Sequence, residues 1–213
     1  MTQILSDQSP RNYFLHLAQY GVNLLDKLPI EREPQPLEYA LGQLAPVLEQ
    51  RKEHELTKLR QLSKPALDAS SVAQLGVGLN SVGMLADRFT ILIIKEWCLR
   101  NKGAQDIAKA QELFDQQTLD IIEALALARP GNSALNSKIT HIKGDAVATT
   151  WEEAFYGLLT TNLILWESQE ILYIRDIQEL PAEELRSYIK WFSYGNMRRN
   201  EYIQLCEQFY WQS

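Results

Sequence analysis

Apolar positions along the chain recur at three- and four-residue spacing, and alternation at two is almost absent, so the pattern predicts helices. Phe14, Leu17, Ala18, Val22 and Leu25 form the stripe of a first helix, opened by Ser9-Pro10 and closed near Leu28-Pro29. Glu31 to Pro36 carries two prolines and reads as a linker. A second helix is expected from about Leu37 to Leu62, kinked near Pro46, which lacks a backbone donor. Its later half, Gln50 to Arg60, mixes charges and reads as a solvated face. Lys64-Pro65 breaks it, and Ser70, Ser71, Gly76, Gly78 and Gly83 make the next stretch irregular.

A strong helix then runs from about Asn80 to Arg100 and stops at Asn101-Lys102-Gly103. The next spans about Ala104 to Ala128, with Ile107, Ala110, Phe114, Ile121, Leu125 and Ala128 on one face, and ends at Arg129-Pro130-Gly131. Residues 131–149 form the longest loop. Thr150-Trp-Glu-Glu153 fits a capping box for a helix continuing to about Asp176. Leu180-Pro181 with Glu183 and Glu184 opens the last helix, which reaches about Tyr210. Phe209, Tyr210 and Trp211 are expected to dock on the core or on a partner. The expected architecture is one all-α domain. Residues 80–213 form an antiparallel helical bundle, and two extra N-terminal helices within 1–79 pack outside it or serve a partner.

A chain of 213 residues can bury a core without disulfides or a structural metal. Its net charge of −6 argues against nucleic acid and anionic membrane surfaces as partners. Cys98 and Cys206 lie far apart without Cys/His metal spacing, so both are expected as buried, reduced thiols. The start of the sequence shows no signal-peptide pattern, and apolar runs such as Ile91 to Ile94 are far too short to span a bilayer. A cytoplasmic location is the expectation.

Three helices place polar groups on faces that otherwise look buried. Arg88, Ile91 and Lys95 share one edge of the third, and Asp87 stands beside Ile91 and Ile94. Asn162, Trp166, Glu170 and Tyr173 make one stripe, and Asn196, Arg199, Asn200 and Ile203 another. If the stripes face one another, the core holds acids, amides and cations, and buried charge requires partners. In one reading the groups line an interhelical pocket for a small polar or phosphorylated ligand. Arg88, Lys95 and Arg199 hold an anion there, and Asp87 and Glu170 hold a divalent metal or serve as acid and base. In the other reading the cluster is structural. Asp87 then pairs with Arg199 or Arg88, Glu170 pairs with Lys95, and the asparagines fix helix register in a non-enzymatic interaction or scaffold module.

The run Asp87-Arg88-x-Thr90-Ile91-Leu92-x-Ile94-Lys95 resembles the signature Asp-Lys-x-Thr-Ile-Leu-x-Ile-Lys of an uncharacterised bacterial all-helical family. Asn162-x-x-Leu165-Trp166 with Glu170 is similar to that family and to a sister family, in which Asn-x-x-Leu-Trp precedes an acidic pair. Asn196-Met-Arg-Arg199-Asn200-Glu201 resembles their closing Asn-x-x-Arg-Asn-Asp element. The resemblance covers residues 84–206 and implies a shared polar site without naming its chemistry. Arg88 stands for the usual lysine, which keeps the charge but changes its geometry, and Gln169 stands for the first acid of the pair, which weakens a two-carboxylate metal site.

Other signals point elsewhere. Arg11-Asn12-Tyr-Phe-Leu-His16 matches the Arg-Asn-x-x-x-His form of certain helical ribonucleases, the HEPN group. That motif usually precedes its domain's last helix, whereas here it opens the chain, so it reads as an exposed arginine and a helix-face histidine. Glu152, Glu153, Glu167 and Glu170 are similar to the magnesium-holding acids of all-α nucleotide pyrophosphohydrolases, but no second helix offers a matching Glu-x-x-Asp. Lys138, His141 and Lys143 form a small basic patch in the long loop, and His54 is expected to face solvent.

Overall fold

The computed structural model describes residues 10–64, 81–103, 106–126, 128 and 144–212, and 81% of those residues are helical with no strand among them. The helix that organises the rest, α4, spans Val82–Lys102. The Ser81 hydroxyl caps it by accepting from the Met84 amide at 3.3 Å. It ends at Gly103, whose φ of 85° disfavours any residue with a Cβ. The helix thus stops inside the expected Asn101-Lys102-Gly103 signal, and the Asn101 side chain donates back to the Trp97 carbonyl at 3.0 Å.

Before α4 come α1 (Pro10–Leu25), a short α2 (Leu37–Tyr39), a π-helical turn (Ala40–Leu44) and α3 (Ala45–Leu59). The π turn is how the chain accommodates Pro46. The Ala45 amide reaches five residues back to the Ala40 carbonyl, and Pro46 enters α3 in its first turn, where no donor is needed. After α4 follow α5 (Ile107–Ala126), α6 (Trp151–Ile174), a 3-10 turn (Ile177–Glu179) and α7 (Ala182–Trp211). Short connections make α4 and α5, and α6 and α7, antiparallel neighbours, and α4 packs on α1, α5, α6 and α7.

The N-terminal helices do not sit outside a finished bundle. Phe14, Leu17, Leu25, Leu44, Leu56 and Leu59 are fully buried in the same hydrophobic cluster as Phe89, Ile93 and Phe155. Helix α6 is apolar almost all round and is the buried centre, reaching solvent at Gln169, Tyr173 and Ile174. Thr150 caps it as expected, accepting from the Glu153 amide at 3.3 Å. The reciprocal bond is displaced by one residue, since the Glu153 carboxylate accepts from the Thr149 amide at 2.7 Å. The C-terminal aromatics dock on the core. Tyr210 is buried edge-on against Trp151, whose indole donates to the Tyr13 hydroxyl at 2.8 Å.

Helices α4 and α7 touch through their backbones. A Cβ on Gly83 would stand 2.2 Å from the Ile203 carbonyl oxygen, so only glycine permits this crossing. The buried Glu207 carboxylate, one turn along α7, accepts from the Gly83 amide at 2.9 Å, placing an anion at the positive end of α4. Arg11, His16 and His54 are exposed. Lys138, His141 and Lys143 and the expected irregularity at Ser70, Ser71, Gly76 and Gly78 lie outside the described residues, whereas Gly83, expected in that stretch, is helical in α4.

Candidate functional site

One turn beyond the Gly83–Ile203 crossing, the same register brings Asp87 of α4 to Arg199 of α7. The guanidinium forks onto the carboxylate, with Nε donating to Oδ1 at 2.7 Å and Nη2 to Oδ2 at 2.5 Å. Asn162 of α6 completes the cluster, its Nδ2 donating to Asp87 Oδ1 at 3.0 Å and to Thr90 Oγ1 at 2.8 Å. The Thr90 hydroxyl in turn donates to the Asp87 carbonyl at 2.8 Å. Asp87, Thr90 and Asn162 are all buried, so three helices meet at a polar knot whose groups satisfy one another. The hydrogen bonds to Asp87 hold the Arg199 guanidinium above the usual arginine range, against the opposing effect of burial.

Arg199 is about one-third exposed and opens onto a cavity of about 410 Å³ between α4, α5 and α7. Asp87, Arg88, Ile91, Leu92 and Lys95 line it from α4, and Gln117, Asp120 and Ile121 from α5. Among the described residues neither Arg88 nor Lys95 makes an ion pair. The cavity therefore presents two uncommitted cations beside a guanidinium whose orientation is fixed, with apolar side chains between them.

Glu170 stands apart from this cavity. It pairs with Lys102, not with Lys95, and Lys102 is 15 residues after Asp87, about 22 Å along α4. There the Lys102 ammonium donates to both oxygens of buried Glu167 at 2.7 and 2.9 Å and to Glu170 at 2.7 Å. The Trp166 indole donates to the other Glu170 oxygen at 2.9 Å. Asp87 and Glu170 are thus not partners in one metal or acid–base site, and the expected single polar patch is two clusters served by opposite ends of α4.

The Cys98 thiol and the Glu167 and Glu170 carboxylates offer ligand atoms within 4.8 Å of one another, the one such group among the described residues. Its chemistry fits an internal ion pair better than a resident metal. Lys102 already engages three carboxylate oxygens, and burial pushes the Cys98 thiol up to about 12, keeping it protonated. Burial lowers Lys102 and the two carboxylates more than restore it, so its net shift is upward. Burial also raises Glu167, opposed by Lys102.

The third stripe divides as well. Arg199 faces inward, but Asn196 is exposed and donates to the Phe192 carbonyl at 2.7 Å. Asn200 is half-buried outside both clusters. Tyr173 is exposed at the end of its stripe. Sequence reasoning overlooked Lys102, which resembled a helix-terminal solvent lysine, and the α5 wall formed by Gln117 and Asp120. Thr90 was visible as a hydroxyl inside the apolar run Phe89 to Ile94. No family model, curated protein or solved structure matches the chain. No described helix is long and apolar enough to cross a membrane.

Proposed function

We propose that the α4–α5–α7 cavity binds a small polar anion, a phosphorylated compound above all. The carrying observation is that Arg88 and Lys95 line a cavity of about 410 Å³ without an acidic partner among the described residues, next to an arginine oriented by a buried carboxylate. That volume falls in the range of small-molecule sites. A guanidinium held from behind presents its remaining donors without a loss of rotamer freedom on binding, which favours recognition of a phosphoryl oxygen. The knot of Asp87, Asn162 and Thr90 then positions Arg199, and Arg88 and Lys95 supply net charge. Of the residues that resemble the helical families, Asp87, Lys95, Asn162 and Arg199 fall in the knot or the cavity, which is in keeping with this reading.

A thermal-shift series with orthophosphate, sugar phosphates and nucleotides tests the reading. A ligand of the native state raises the melting temperature by mass action. The raise is expected in wild type and lost in Arg88→Gln/Lys95→Gln, whose side chains are half-buried or exposed and leave the knot intact. No shift by any of these anions in wild type would refute it.

A further inference from the structure

The two walls of the cavity differ in kind. The α4 and α7 wall carries Arg88, Lys95 and the Asp87–Arg199 pair, whereas the α5 wall carries Asp120 and Gln117, and Ile91, Leu92 and Ile121 also line the space. A carboxylate repels a bare anion and calls for a hydroxyl or amino donor. The cavity also exceeds what orthophosphate fills. A space of about 410 Å³ lies within the range of sites that take a small organic molecule, not a five-atom phosphate alone. No aromatic ring is among the described lining residues, so a nucleobase finds no stacking surface there. Three separate cationic side chains suit a tetrahedral group with three acceptor oxygens better than a planar carboxylate.

Resting on the binding reading above, we infer that the ligand is a phosphorylated polyol of the sugar-phosphate class. Its phosphoryl group meets Arg88, Lys95 and Arg199, and its hydroxyls donate to Asp120 and to the Gln117 amide oxygen. Asp120 is thereby the specificity determinant. It disfavours free phosphate and favours a phosphate that carries a donor on its far side.

Calorimetric titration of the full chain with orthophosphate, D-ribose 5-phosphate, D-ribose and adenosine monophosphate tests this, in wild type and Asp120→Ala. Asp120 is exposed on α5 and alanine is the best helix former, so the variant retains the fold. Ribose 5-phosphate is expected to bind about ten-fold more tightly than orthophosphate, the worth of one charge-assisted hydrogen bond. In Asp120→Ala the two affinities converge, because the sugar phosphate loses its acceptor and orthophosphate loses a repulsion. Equal wild-type affinities that Asp120→Ala leaves equal would overturn the ligand class while sparing the anion site. Tighter binding of the nucleotide than of ribose 5-phosphate would also overturn the class. No binding of any phosphate would overturn both readings.

Discussion

Arg199 holds Asp87 through both carboxylate oxygens, at 2.7 and 2.5 Å, across the junction where α4, α6 and α7 meet. Truncating Arg199 leaves a carboxylate that is 4% exposed without its cation, and removing one partner of a buried pair is strongly destabilising. Arg199→Ala is expected to lower unfolding free energy by about 3 kcal/mol in urea. Arg199→Lys should recover less than half of that loss, because an ammonium cannot reproduce the two parallel bonds. A lysine variant as stable as wild type would show that charge alone suffices.

The Gly83–Ile203 crossing sets the distance at which that pair can form. Gly83→Ala places a methyl group against a backbone oxygen that cannot rotate away, so α4 and α7 must separate. Overpacking of this kind typically costs about 1–3 kcal/mol, more than alanine's helix propensity returns. Urea melts of Gly83→Ala at or above wild-type stability would contradict the close approach.

Lys102 neutralises Glu167 and Glu170 in a buried site, and its removal exposes the cost of their charge. Burial already raises Glu167 in the folded state. A raised folded pKa means that protonation favours the native form, so this contribution grows as pH falls through the folded value. Lys102→Met should therefore be destabilised at pH 7 and recover part of its loss in mild acid. A deficit that stays constant from pH 7 to pH 4 would argue against a buried carboxylate pair.

Asp145 behaves in the opposite sense. The Arg198 guanidinium beside it, at 2.6 Å to each oxygen, holds its carboxyl below the usual range. A depressed folded value contributes stability above the unfolded carboxyl range, and that contribution is lost as pH falls through the folded value. Asp145→Asn should flatten the acid limb of the stability curve and leave the curve above pH 6 parallel to wild type. Asp145 is about half exposed, so the effect is small and weakens with salt. An acid limb as steep in the variant as in wild type would contradict it.

Periodicity made the helices legible, because each strong amphipathic run satisfies one local rule at a time. It also placed Asp87, Asn162 and Arg199 on inward faces, and the coordinates bring those three into contact. It could not separate the two polar clusters. Lys95 and Lys102 look alike in sequence, and only the crossing angles of α4 with α6 decide that Glu170 meets the second. The π turn before Pro46 was legible only as a kink, since sequence marks the missing donor and not the route around it. The Asp120 wall escaped because an acid on the polar flank of an amphipathic helix carries no sign of what stands opposite.

Nitrogen-15 amide spectra titrated with inorganic phosphate read directly where an anion binds. Saturable shifts confined to amides of residues 88–95, 117–121 and 199, and absent in Arg88→Gln/Lys95→Gln, are the predicted result. Shifts that fail to saturate, or that saturate around Lys102 and Glu167 instead, would contradict the account.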